Sequence, residues 1–551
     1  MASNDFFTKR KHFDSRLSAL KTIRQNYESD WKEIRNYLAP DTGAFDDPIQ
    51  ERTQKKDAFY KQNINTLPSY YMTNLATALT TNLTPSRLKW FRLVVPNVTR
   101  EESIWLKRAE DKMYRVFNGA GLYDHLWNAY YESALYGPSM LGMQFDVNNG
   151  IDFIPTTIGE FWISEGGNGL INTCYRRIAM TNVQIFEQFP EENIPEKIKE
   201  ELSKDNTEDM KIVIHAVEPN PRYLPNWDNM LNKPYISVYY IEGFEGQFLE
   251  YKGFSKFPYM VARWNKTGKN TYGNGIGRTI LGDIKSLQAY ERDLAKASKK
   301  KISPPLKGSL ELKNSVKDTS ADSITYTDDI NGLTALYNVN YDTRESMENI
   351  SRISQRIYQI TYNDLFYALL NYDKTMSATQ ADGIIQEKLT MLGSVVERLQ
   401  SEFLKPLING AFNILYENGW FEEPPASLVG KNLDIQYQSL LSISQEMGDL
   451  TIVERYMRFV SSIAGINPIV ARKPDYLATT NYYAERLGLD QSLNKTDAMV
   501  MKEVQDEQLA AAQQQQQAQQ MQALQTISQA TKNFAGAETN AEAALRGMIG
   551  A

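Results

Sequence analysis

Apolar spacing divides the chain into a helical opening, a β-rich middle and a largely helical second half. Phe13, Leu17, Leu20, Ile23, Tyr27, Trp31 and Ile34 recur at steps of three and four, which predicts an amphipathic helix over 13–38. A second helix is predicted over 67–83, where Leu75, Ala76, Leu79 and Leu83 supply the inner face and Pro85 ends it. Helices follow over 101–118 and 121–136. Gly119 and Gly121 separate them, and Gly137-Pro138 closes the second.

From 141 to 264 the period changes. β-prone runs at 151–155, 170–180, 211–217, 235–242, 247–251 and 259–264 are mostly divided by turn residues, which predicts an antiparallel meander. The charged stretch 190–209 reads as a surface helix and loop. A long helix is expected over 278–301, stopped by Pro304-Pro305, and strand-like pieces over 306–343. The next helix spans 344–370. A polar loop of Asn371, Tyr372, Asp373, Lys374, Thr375 and Met376 comes before a helix over 377–418. Ser377 and Gln380 have capping-box spacing there, Pro406 predicts a kink, and Gly419 closes the helix. Leu450, Val453, Met457, Val460 and Ile463 predict a helix over 446–464. The tail from Thr496 has helical propensity, with five glutamines at 513–517, and is expected to be loosely ordered past Thr526.

The fold class is therefore α+β, mainly helical. With 551 residues and 42% hydrophobic positions, the chain is long enough for several packed cores. Its net charge of -7 departs from the basic balance of a strong sequence-independent DNA binder. Cys174 is the one cysteine, so no intrachain disulfide framework is possible, and a reduced environment fits. His12, His125 and His215 have no HExxH spacing, and no metal or cofactor is expected. No apolar run approaches the roughly 18 residues of a membrane span, and the first residues lack a signal-peptide core.

The unit 278–370 carries the most information. In its first helix Ile280, Ile284, Leu287, Glu291, Leu294 and Ser298 follow one stripe. Lys285, Arg292, Lys296 and Lys299 share the opposite face, which continues into Lys300 and Lys301. Such a face is either solvated or aimed at a polyanion. The second helix has its apolar stripe at Met347, Ile350, Ile353, Ile357 and Ile360, with Arg352 and Arg356 away from it. Gly273-Asn274-Gly275-Ile276-Gly277-Arg278-Thr279 lies between a strand and a helix, as a phosphate loop would. It lacks the lysine of that motif and reads as a flexible junction. Asp41, Asp46, Asp47 and Asp328-Asp329 read as solvated acidic loops.

In order, several segments resemble the portal (head-to-tail connector) proteins of podoviruses, the short-tailed bacteriophages. Leu83-Thr84-Pro85 followed by Trp90-Phe91-Arg92-Leu93 resembles the family's helix end and Trp-Phe strand. Ala134-Leu135-Tyr136-Gly137-Pro138 is similar to its helix-to-glycine junction, and residues 171–181 to a strand ending in Met-Thr. Tyr272-Gly273, Gly275, Gly277-Arg278 and residues 281–287 resemble the entry into its stem helix. Met376-Ser377-Ala378-Thr379-Gln380 is similar to its Met-Thr-Ala-Thr-Glu helix start, with serine and glutamine substituted. Order and spacing match from about residue 10 to 510.

The resemblance implies a wing over 1–277, stem helices at 278–301 and 344–366, and a clip at 302–343. It implies a tunnel loop at 367–378 centred on 371–376, a wing helix and return at 379–445, crown helices at 446–510 and a tail at 511–551. It implies a homo-oligomeric ring of about twelve subunits in the virion, assembled in the host cytoplasm, with no enzymatic activity. Double-stranded DNA would pass through the channel. Terminase, tail adaptor or nozzle proteins, and the major capsid and scaffolding proteins would be its partners, with no membrane. Lys285, Arg292, Lys296, Lys299, Lys300 and Lys301 would line the channel or, with the other stem face inward, point outward. Two other readings stand beside this one: a nucleotide-binding enzyme using the 273–279 glycine run, and a cytoplasmic helical scaffold.

Overall fold

The structure is a computed structural model. It describes residues 9–45, 63–96, 98–204, 207–225, 232–244, 248–302, 306–308, 333–335, 343–365, 392–428, 430–431, 433–438, 440–465, 467–486, 495 and 497–549. The chain divides into two compact units, Met1–Gln445 and Glu446–Ala551.

The first unit opens with α1 (Arg10–Leu38), close to the predicted span. Its inner face serves two cores. Phe13, Leu17 and Leu20 bury against Trp162, Tyr175, Ile214 and Tyr240, while Trp31, Ile34 and Leu38 enter the main core. Ile23, expected on the inner face, is 46% exposed. Arg24 takes the inward position instead. It donates from Nη1 to the carbonyls of Gly159 and Phe161, at 2.7 and 2.9 Å, and its guanidinium stacks on Trp162. A buried arginine is tolerated where acceptors and an aromatic face replace water.

The main core is built by α2 (Leu67–Leu83), β1 (Phe91–Val94), α3 (Arg100–Gly119) and α4 (Leu122–Tyr136). α3 starts at a Thr99/Glu102 capping box. α4 ends at Gly137, whose φ of 110° is accessible to glycine and turns the chain into the first sheet.

Eight strands follow: β2 (Pro138–Asp146), β3 (Gly150–Pro155), β4 (Phe161–Glu165), β5 (Ile171–Thr181), β6 (Met210–Pro219), β7 (Tyr235–Ile241), β8 (Glu250–Phe254) and β9 (Tyr259–Arg263). All their pairings are antiparallel, but they form two sheets rather than one meander. β4 to β8 make a five-stranded meander, and β3-β2-β9 a separate three-stranded sheet. β2 and β4 were not legible in sequence. β2 holds no β-branched residue, and β4 has five positions, so neither carries a clear period. The charged stretch does more than cover the surface. Between β5 and β6, α5 (Asn182–Gln188) and α6 (Glu196–Ser203) insert Ile185 and Ile198, and their connection inserts Ile194, into a core with Val213 and Ile241.

α7 (Ile276–Ile302) and α8 (Thr343–Ile360) are the two long helices. Between them, β10 (Leu306–Gly308) and β11 (Leu333–Ala335) pair antiparallel. α8 ends at Ile360, where a turn with a left-handed Tyr362 interrupts the predicted helix; helical backbone resumes at 363–365, and 366–370 lie outside the described residues. The expected loop 371–376 and the start of the 377–418 helix lie outside the described residues. From 392 that helix is present, but a π-helical turn, Leu399–Leu404, interrupts it before α9 (Lys405–Glu417). Pro406 lacks an N–H, so the bond it would make to Glu402 is missing, and the turn upstream is widened. β12 (Asp434–Tyr437) then pairs with β1, Phe91 opposite Tyr437, which ties the end of this unit to its beginning.

The second unit contains most of α10 (Leu440–Ala464), with α11 (Tyr476–Arg486) and α12 (Asp497–Ile549). Tyr483 donates to Glu454 and Asn481 to Asp497. The expectation of loose order past Thr526 is corrected by the backbone, which stays helical to Ile549. Residues 527–549 hold no proline and six alanines, the best helix former.

Candidate functional site: the hairpin of long helices

Among the described residues, the hairpin is buried at one end and exposed at the other. Ile276, Ile280, Leu281, Ile284, Leu287 and Gln288 of α7 are buried, and no residue from 289 to 302 is. On α8, Ile353 and Ile357 are buried in the same core, with Ile350 and Ile360 packed against it. The predicted stripes are thus observed, and the chain's own core uses them. Met347, at the far end of α8, is 56% exposed. Arg356 chelates Asp283 and joins the two helices, with Nε 2.9 Å from Oδ2.

Polar contacts fix the root of α7. Gln288 Oε1 accepts from the backbone N–H of Ile64 and Asn65 at 2.8 and 3.1 Å, and its Nε2 donates to Asn65 O. Glu291 Oε1 accepts from Asn65 Nδ2 at 2.8 Å. Glu291 therefore sits on the inner stripe because it has a partner there. The sequence signal was a polar residue inside an apolar row.

The predicted cationic face separates into two parts. Lys285 pairs with Glu33 of α1 at 2.7 Å, and Arg278 with Asp30 at 3.0 Å. Beyond the root, Arg292, Lys296, Lys299, Lys300 and Lys301 are exposed. Lys296 lies 3.9 Å from Asp293. Residues 292–302 hold five cations and one anion, a net charge of +4 in a chain of net charge -7. Lys299, Lys300 and Lys301 fall in the last turn, where they also complement the helix dipole.

The glycine run is packed rather than flexible. Gly273, Gly275 and Gly277 are buried where the start of α7 meets the end of α4. A Cβ on Gly275 would lie 2.5 Å from Leu135 O and 2.6 Å from Ala134 O, and one on Gly277 would also strike Leu135 O. Backbone carbonyls stand where a phosphate would have to approach, so these glycines serve helix packing. Gly275→Ala is expected to destabilise the first unit by about 1–3 kcal/mol through overpacking, read as a lowered unfolding midpoint. Among the described residues no group of three His, Cys, Asp or Glu is placed to hold a metal. Asp46, Asp47, Asp328 and Asp329 lie outside them. No helix among the described residues is long and apolar enough to cross a membrane.

The family model described as bacteriophage head to tail connecting protein matches residues 10–494. The chain belongs to this family. It is 29% identical over 518 residues to the probable portal protein of Bordetella phage BPP-1, covering 92% of this chain and 93% of that protein. It is 27% identical over 554 residues to the portal protein of Salmonella phage epsilon15, covering 99% and 98%. In this connecting protein, therefore, the rooted hairpin, with its cations gathered at the free end, is the candidate functional element.

Proposed function

We propose that the chain is the portal subunit of a bacteriophage. It would form a ring at one capsid vertex, with a channel through which DNA is packaged, held and ejected. The observation that carries this reading is the hairpin of α7 and α8. Apolar residues and the Arg356–Asp283 pair hold its base, and its free end has cations on an exposed surface. The hairpin would be the stem, with the region 302–343 as clip, Asn371 to Met376 as tunnel loop and 446–510 as crown. Terminase and tail adaptors would dock on the clip in turn, and capsid and scaffolding proteins would surround the wing. No catalytic group is needed.

With Lys285 half-buried beside Glu33, DNA contact would concentrate at the exposed cations Arg292, Lys296, Lys299, Lys300 and Lys301. A sliding channel gains from few weak phosphate contacts, because each neutralised phosphate adds affinity and slows passage. Electron microscopy of the purified protein is expected to show rings with a central hole. A monodisperse monomer would refute the reading. Replacing Lys296, Lys299, Lys300 and Lys301 with Gln should leave rings intact and change packaging or ejection in a salt-dependent way. Unchanged behaviour across ionic strength would make these lysines a solvated helix end.

A further inference from the structure

We propose that the end of α8 is a two-state joint. At residues 361–362 the chain either turns, with helix resuming at 363–365 as here, or continues α8 as unbroken helix. This inference does not depend on the portal reading.

Three observations carry it. Tyr362, at φ 56°, is the one non-glycine residue of positive φ among the described residues. A side chain in the left-handed region is disfavoured on the order of tenfold against glycine, and for a bulky residue such a backbone is an outlier. Second, the sequence permits helix across the break, although Thr361, Asn363 and Asp364 are weak helix formers. From 343 to 370 there is no glycine or proline, and Ile353, Ile357, Thr361 and Leu365 fall on one helical row. The apolar row thus runs on through a turn that interrupts the helix for two residues.

Third, a small polar clasp holds the bend. Thr361 Oγ1 donates to Ile357 O at 2.8 Å. Asn363 Nδ2 donates to Tyr71 O of α2 at 3.0 Å, and to Thr361 Oγ1 and O at 2.9 and 3.2 Å. Thr361 and Asn363 are both buried, so these bonds are strong in their setting. In a continuous helix residue 363 rotates with its turn, and the bond to Tyr71 is given up. One clasp is therefore set against backbone strain at Tyr362 and the apolar row that continues past it. Near balance, a modest difference in partner or ligand contacts shifts the populations. Straightening would lengthen α8 by five residues, roughly 7.5 Å, and would redirect the chain that follows.

The test is hydrogen exchange by mass spectrometry on full-length Tyr362→Gly and Tyr362→Ala. Both lose the ring, so its packing cancels in the comparison. Glycine accepts the left-handed bend and disfavours helix, while alanine does the reverse. The bent-to-straight ratio should differ about thirtyfold or more between the two. For a two-state joint, the amides of 363–365 exchange at least about tenfold more slowly in the alanine variant, whereas Thr361 N–H already bonds Ile357 O in the bent state. Asn363→Ala, which removes the clasp, should slow them relative to wild type. Protection over 280–287 checks that the root of α7 is intact in all three. A fixed left-handed cap behaves oppositely, because alanine would strain it and speed exchange. Equal or faster exchange in Tyr362→Ala than in Tyr362→Gly overturns the proposal, as does faster exchange in Asn363→Ala than in wild type.

Discussion

Replacing Arg263 with methionine is expected to destabilise the first unit by about 3–5 kcal/mol, the usual cost of orphaning a buried ion-pair partner. Arg263 ends β9 and is 1% exposed. Its Nε and Nη2 grip both carboxylate oxygens of Glu402 at 2.7 and 2.8 Å, and Nη1 binds Glu165. Nη2 also donates to Gly169 O at 3.0 Å. Glu165 retains Lys266 at 2.9 Å, so Glu402 is the carboxylate that loses most. Glu402 sits in the π-helical turn, and the pair anchors that turn to the three-stranded sheet. Chemical denaturation of Arg263→Met, Glu402→Leu and the double variant checks this. Removing both charges should recover most of the loss, because no buried charge is then unpaired. A single variant within about 1 kcal/mol of wild type would mean that the turn is held by other contacts.

Stability is expected to fall as pH rises through neutrality, and Glu132→Gln to remove much of that fall. Burial in α4 pushes the Glu132 carboxyl up to about 8, although Thr157 Oγ1 and the Ile158 N–H donate to it. Burial likewise pushes Glu110 up to about 7, against a 2.8 Å hydrogen bond from the Leu93 N–H. Both folded values lie above the ordinary carboxyl value of 4.5. Between the two the folded chain holds more protons than the unfolded chain, so stability is lost with rising pH. For Glu132 the loss begins near pH 4.5 and levels off above about 8. Fully developed it is on the order of 5 kcal/mol, at about 1.4 kcal/mol per pH unit over the span from 4.5 to about 8. Melting temperatures from pH 5 to 9 should diverge, with Glu132→Gln gaining on wild type as pH rises. Glu110→Gln should show a smaller gain that saturates near pH 7. Parallel curves for wild type and Glu132→Gln would show that the carboxyl does not titrate in this window.

Sequence alone determined the elements whose residues repeat with a clear period. α1, α2, α3, α4, α7 and α9 follow from apolar steps of three and four, and from glycine and proline stops such as Gly137 and Gly419. The family was legible because its motifs keep their order over most of the chain. The cationic face of α7 was legible because a helix places residues 285, 292, 296 and 299 on one side.

Tertiary structure decided what period and composition do not encode. Whether eight strands make one sheet or two depends on which edges meet, and short strands such as β4 carry too little pattern to say. The end of α8 at Ile360 depends on Asn363 reaching a carbonyl on α2, nearly 300 residues earlier in the chain. The separation of Lys285 from the outer lysines depends on Glu33 of α1 standing beside it. The packing of Gly275 and Gly277 depends on two carbonyls at the end of α4. Each of these is a contact between residues far apart in sequence. Local preference sets where a helix or strand is favoured, and only the packed neighbours set where it stops and which of its side chains remain free.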